Sequence, residues 1–169
     1  MTSDAAVRTR PARPADAGRI ASIYNHGIAE RVATFETRER DADDVAEWLE
    51  AGGRFPVLVA ERGGEVAGFG RIGPYSDREA YRGVGELQVY VDPGHRRAGV
   101  GGRLVAAVAD EARRQGYWKL IGRLFTTNEP MRALLAGRGY REVGVHLRHG
   151  RLDGRWRDVL VVELLLDPG

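Results

Sequence analysis

The chain has 169 residues, 43% hydrophobic and 30% charged, which suits one domain with a real core and excludes a disordered chain. The formal net charge of +2 is too small to argue for a nucleic-acid or membrane-surface partner. Cysteine is absent, so disulfides, thiolate metal sites and cysteine nucleophiles are excluded. The basic residues are nearly all arginine, with Lys119 the one lysine; arginine suits phosphate and carboxylate ligands.

In chain order, Val7–Thr9 reads as a short strand. Pro14 and Asp16 open a helix with apolar positions at Ala17, Ile20, Ile23, Tyr24 and Ile28. Residues 31–40 are irregular, with Phe35 their one large apolar residue. Asp41, Asp43 and Asp44 begin a second helix with Val45, Trp48 and Leu49 on one face, where acids complement the helix dipole. Val57–Ala60 and Val66–Ile72 form a hairpin through Gly63-Gly64, and Gly73-Pro74 ends it. Ser76–Gly85 reads as a polar loop and Glu86–Val91 as a third strand, stopped by Asp92-Pro93-Gly94. A helix over Val100–Gln115 buries Leu104, Val105, Val108 and Ala112, and Gly116 closes it. Trp118–Phe125 is a strand and Glu129–Arg138 a short helix after Asn128. Tyr140–Leu147 and Trp156–Leu166 are closing strands around a turn at Asp153-Gly154. This order predicts a mixed α/β fold: one domain over residues 1–169, with a mostly antiparallel central sheet flanked by helices.

The chain start carries no apolar signal region, and the longest apolar run, Val159–Leu166, is interrupted by Glu163 and too short for a bilayer. The expectation is a soluble cytoplasmic protein with neither a nucleic-acid nor a membrane partner. His26, His95, His146 and His149 form no ligand pattern, so no metal is expected.

The stretch that carries chemistry is Val89–Leu104. A strand runs into a turn, then into a glycine-rich loop that feeds a long helix. Gly99, Gly101 and Gly102 let a ligand approach the backbone, and the helix start offers unpaired N–H groups with partial positive charge. Arg96, Arg97 and Arg103 add full charges, and together these make a pyrophosphate site. It is not a Walker loop, because Gly101-Gly102 is followed by Arg103 rather than by lysine. Nor is it a dinucleotide fingerprint, because the third glycine is replaced by Leu104.

Arg96-x-x-Gly99-x-Gly101 after Val-Tyr-Val resembles the acetyl-coenzyme A loop of the GNAT superfamily of N-acetyltransferases. The resemblance narrows at Ile23-Tyr24-Asn25-His26, Ala33-Thr34-Phe35, Gly73-Pro74-Tyr75, Arg78, Ala80-Tyr81, Glu86 and Trp156-x-Asp158. These are similar to the phosphinothricin N-acetyltransferase family, with its relatives acting on methionine sulfoximine and arsinothricin. The resemblance implies a GNAT fold, acetyl-coenzyme A as co-substrate and a homodimer. It implies transfer of the acetyl group to the primary amine of an acidic amino-acid analogue, by direct attack in a ternary complex. It assigns the coenzyme to Val89, Tyr90, Val91, Arg96, Arg97, Ala98, Gly99, Val100, Gly101, Gly102 and Asn128, and the acceptor to Phe35, Arg78 and Tyr81.

Glu86 is the candidate general base, because an amino-acid amine is mostly protonated at neutral pH and cannot attack a thioester. The structural alternative is a strand-end glutamate in an ion pair. Backbone N–H groups of the Leu87–Val91 strand, such as that of Val91, can hold the oxyanion. Asn128 is a pantetheine contact, a helix N-cap, or both. Arg78 binds a carboxylate or phosphinate, or is a solvated loop residue. His26, Trp156 and Asp158 read as structural.

The sequence departs from the resembled family at three places. Leu135 stands where a tyrosine or histidine would meet the leaving thiolate. Ser76 stands where a lysine would add a cation, and Met131 replaces a serine. Two alternatives follow: a GNAT enzyme for another amine (amino acid, polyamine, aminoglycoside or protein N-terminus), or a catalytically silent acyl-coenzyme A binding module.

Overall fold

A computed structural model describes residues 5–167. The elements are β1 Arg8–Pro11, α1 Ala17–Glu30, α2 Ala42–Glu50, β2 Val57–Arg62, β3 Glu65–Pro74, β4 Val84–Val91, α3 Val100–Arg114, β5 Lys119–Phe125, α4 Glu129–Gly137, β6 Arg141–Leu152 and β7 Arg155–Leu165. One seven-stranded sheet runs in the order β1-β2-β3-β4-β5-β7-β6. Every neighbouring pair is antiparallel except β4 and β5. This is the GNAT fold that the sequence resemblance implied.

The alternation of each strand builds two layers. On one face Leu87, Val89, Leu120 and Leu124 meet Val100, Leu104, Val105 and Val108 of α3. On the other, Val59 and Phe69 meet Ile20, Ile23 and Tyr24 of α1 and Val45 of α2. Fully burying each such aliphatic side chain contributes about 1.5–3 kcal/mol, so α3 is fixed along its whole length. A capping box at Asp41 and Asp44 starts α2. The left-handed Arg31, with φ of 58°, ends α1.

Three expectations shift. Residues 79–81 of the polar loop form a 3-10 turn, and β4 starts at Val84, two residues earlier than expected. The strand expected to end at Leu147 continues to Leu152. Asp153 and Gly154, both at positive φ, make a tight hairpin turn that pairs Leu152 with Arg155. The polar run around Arg148 hides this extension because the register slips between His146 and Gly150, with Arg148 itself at φ 49°.

Candidate active site

The site is set by how β4 and β5 part. Their parallel pairing covers Val84–Glu86 against Lys119–Ile121 and goes no further. Beyond it, β4 stays paired with β3 up to Val91, and β5 stays paired with β7 up to Phe125. The sheet therefore splits into a V, with Glu86 at its apex. A cleft of about 360 Å³ fills the V. Leu87, Val89, Gly122 and Leu124 form its walls, α4 contributes Asn128, Met131 and Leu135, and Thr34, Phe35 and Glu36 close it from the irregular segment.

The split leaves backbone groups without a strand partner. Asp92 N–H donates to Ala67 C=O at 2.8 Å, on the β3 side. Because successive residues of a strand turn their polar groups to opposite edges, Leu87, Val89 and Val91 present N–H and C=O to the open edge facing β5. This is a ladder for an amide-bearing chain, with donors able to hold a developing negative charge.

The glycine-rich loop lies beyond the end of β4. Asp92 accepts a hydrogen bond from Gly94 N–H at 3.0 Å, and a 3-10 turn over Pro93–His95 reverses the chain. Arg97 and Gly99 both lie at positive φ, and the α3 N-cap Gly99 receives no side-chain cap. The first turn of α3 at Val100, Gly101 and Gly102 is thus open to an anion, and Ala98 packs beneath it on the core. Arg97 and Arg103 are exposed at this end, whereas Arg96 is turned back onto Glu30 at 2.7 Å. The sequence analysis missed Arg138. Its guanidinium lies so near Gly102 that a Cβ there would meet Nη2 at 2.6 Å, which places another cation beside the helix start. An arginine after a short helix gives no sequence signal for this approach.

Glu86 is half-buried at the apex, its side chain 21% exposed. Burial pushes its carboxyl above the ordinary range, and the guanidiniums of Arg123 and Arg71 pull it part of the way back. Arg123 Nη1 lies 3.5 Å from Glu86 Oε2. Arg71 stacks 4.3 Å over the Trp48 ring, and burial lowers its pKa. Neither arginine was singled out by sequence.

Tyr90 points its ring away from the coenzyme loop into an aromatic group with Tyr24 and Phe69, 4.9 and 5.4 Å between centroids. Its part in the cleft wall is shared with Tyr24 and Thr34. Phe35 lines the cleft and packs edge-on against Phe125 at 4.8 Å. Asn25 anchors the segment that carries it, donating to Arg40 C=O and accepting from Arg40 N–H, both at 2.8 Å. Asn128 does two jobs: its Oδ1 accepts from Met131 N–H at the start of α4, and the residue lines the cleft.

Arg78 and Tyr81 sit outside the cleft, on the exposed loop after β3. Tyr81 packs on Tyr75, and Arg123 lies 5.8 Å over the Tyr75 ring, so this loop stands at the rim. His26 bonds the Ser22 carbonyl and does not line the cleft. Leu135 is buried in the cleft wall. Tyr140 is buried in the core, and its hydroxyl does not reach the cleft. His149 lines the cleft and stacks on His146 at 4.4 Å, but no group of three or more metal-capable side chains occurs among the described residues. Asp158 accepts from Arg148 N–H at 2.7 Å, and Trp156 carries the Arg151 guanidinium at 4.3 Å.

A split sheet with an acid at its apex and an uncapped helix start beyond it defines an acyltransferase that works on a coenzyme thioester. The sequence profile of the Acetyltransferase (GNAT) family matches residues 20–140, and the chain belongs to that family. It is an acetyl-coenzyme A-dependent N-acetyltransferase. It is 33% identical to the L-amino acid N-acyltransferase MnaT of Escherichia coli K12, over 94% of this chain and 93% of the relative. It is also 33% identical to the phosphinothricin N-acetyltransferase of Streptomyces viridochromogenes, over 90% and 84%. The structure of YncA from Salmonella typhimurium with acetyl-CoA superposes with a TM-score of 0.92 at 32% identity, over 96% of this chain and 95% of that one.

Proposed function

We propose that the protein acetylates the primary amine of a small acidic amino-acid analogue, of the phosphinothricin or methionine sulfoximine kind, by direct attack in a ternary complex. One observation carries the reading: Glu86 sits at the apex of the β4–β5 split, where the unpartnered edge of β4 begins. The residues present fit acetyl-coenzyme A. The uncapped start of α3 suits the pyrophosphate, and the free groups of Val89 and Val91 suit the pantetheine amides. Bound there, the coenzyme supplies an activated acetyl carbonyl.

Glu86 takes the proton from the acceptor ammonium, directly or through one water. Its burial raises its basicity and narrows the mismatch with an amine. The freed amine attacks the acetyl carbonyl. The N–H of Val91 faces the open edge, where it stabilises the charge developing on the carbonyl oxygen. With Leu135 in the wall, no tyrosine or histidine of α4 protonates the departing sulfur, and a thiol of pKa about 8.5 can leave as thiolate near neutral pH. Phe35 packs on the acceptor's methylene chain, while Arg78 and Tyr81 meet it from the rim loop.

The active form is a homodimer. Val145 and Leu147 alternate along the edge strand β6 and share one face, Val143 at the neighbouring bulge is also exposed, and Leu147 is 75% exposed. A second copy covers this stripe and lies beside His149 of the cleft.

The test is coenzyme A release from acetyl-CoA with L-phosphinothricin, L-methionine sulfoximine, polyamines, aminoglycosides and a peptide N-terminus. Turnover selective for the acidic analogues supports the reading. Turnover with the other amines alone overturns the acceptor. Tight coenzyme binding without turnover favours a silent binding module.

A further inference from the structure

We propose that Arg123 determines acceptor specificity: it holds the Glu86 carboxylate while the cleft is empty and transfers its guanidinium to the acceptor's own carboxylate on binding. The inference rests on the proposed acetyl transfer to an amino-acid analogue, and it names a residue and an exchange of partners that the reaction alone does not require.

The geometry is that of a loosely held cation. Arg123 lies on β5, its side chain 42% exposed, and it lines the cleft. Its contact with Glu86, at 3.5 Å, is an ion pair rather than a good hydrogen bond. Among the described residues its guanidinium donates no hydrogen bond. Of the other arginines around the site, Arg71 is held over the Trp48 ring and Arg157 over the Phe125 ring, and three more are paired to carboxylates. Arg40 donates to Glu36 at 2.9 Å, Arg96 to Glu30 at 2.7 Å and Arg132 to Glu142 at 2.6 Å. Arg123 is the arginine that both lines the cleft and contacts Glu86, and its fork of donors makes no hydrogen bond among the described residues, which is what bidentate capture of a carboxylate requires.

The spacing suits an α-amino acid. Its ammonium and carboxylate sit on one carbon, so a carboxylate on Arg123 brings the ammonium to the neighbouring Glu86. The exchange conserves charge: the Arg123–Glu86 pair is replaced by Arg123–carboxylate and Glu86–ammonium. An acceptor lacking the carboxylate leaves Arg123 on the base, where it opposes proton uptake. Glu36, on the opposite wall, faces the same space but is already paired with Arg40.

The experiment compares two acceptors with the same amine and side chain, L-methionine sulfoximine and its α-carboxamide, on wild type, Arg123→Gln and Arg123→Lys. The expected result is a roughly 10- to 100-fold fall in the acid-to-amide ratio of kcat/KM in Arg123→Gln, mainly through KM for the acid, and partial recovery in Arg123→Lys. The acid-to-amide ratio isolates this role, because any change in stability or acetyl-CoA affinity acts on both acceptors alike. Equal loss on acid and amide, or no loss, overturns the role of Arg123 while leaving the transferase reading intact. Absence of turnover with both acceptors in wild type overturns the proposed acceptor class and this inference together.

Discussion

At the residue scale, the decisive group is Glu86. Its identity and its place on the strand that leads into the glycine loop were legible in the sequence, because the family resemblance places a base there, although β4 begins two residues before it. Its environment was not legible. Arg71 and Arg123 reach it from neighbouring strands that are 15 and 37 residues away in the chain, through registers that no local pattern fixes. The consequence for stability is signed. Burial raises the Glu86 pKa above its ordinary 4.5, so the stability of the protonated form is present below that value and lost as pH rises through the folded pKa. Glu86→Gln should therefore unfold at a higher temperature than wild type at about pH 8 and at nearly the same temperature at about pH 4, in thermal melts.

Glu163 behaves in the opposite sense. Its nearly buried carboxylate accepts from Lys119 at 3.0 Å and from Arg141, tying β5, β7 and β6 together. These bonds lower its pKa, so its contribution is present above the ordinary 4.5 and lost as pH falls through the folded value. Glu163→Gln should cost about 1–3 kcal/mol at neutral pH in denaturant titrations, with the difference fading in acid. In the sequence Glu163 shows only as a break in an apolar run.

At the scale of elements, the glycine loop and α3 were legible because every local signal agreed: a strand, a turn, glycines and an amphipathic helix. Gly99 at φ 78° carries the turn into the helix. Gly99→Ala should cost roughly 1 kcal/mol of backbone strain and weaken acetyl-CoA binding about fivefold, read by calorimetry. The segment 31–40 was harder, since its order comes from Asn25 rather than from its own sequence. Asn25→Ala should raise KM for the acceptor several-fold, with acetyl-CoA affinity unchanged, because it frees Phe35 without touching the coenzyme loop. The placement of Arg78 and Tyr81 at the rim rather than in the cleft depends on the 3-10 turn at Glu79–Tyr81, which a polar run does not announce.

At the scale of the molecule, the mixed α/β class followed from element order, but the split between β4 and β5 did not. It requires a parallel pairing that stops after Glu86, a long-range fact invisible to periodicity. The exposed β6 stripe likewise appears only once that strand is known to be the sheet edge. For the proposed homodimer, Leu147→Arg should give a monomer in sedimentation where wild type gives a dimer, because an arginine cannot be buried unpaired across a symmetric contact.

The central claim is that Glu86 removes the amine proton. The measurement that tests it most directly is the pH dependence of kcat/KM for acetyl transfer in wild type and Glu86→Gln, side by side. The account predicts that the variant is slower by about 10²–10⁴-fold near neutral pH and gains on wild type with rising pH, as the acceptor amine deprotonates unaided. A variant that matches wild type in rate and pH profile would contradict it.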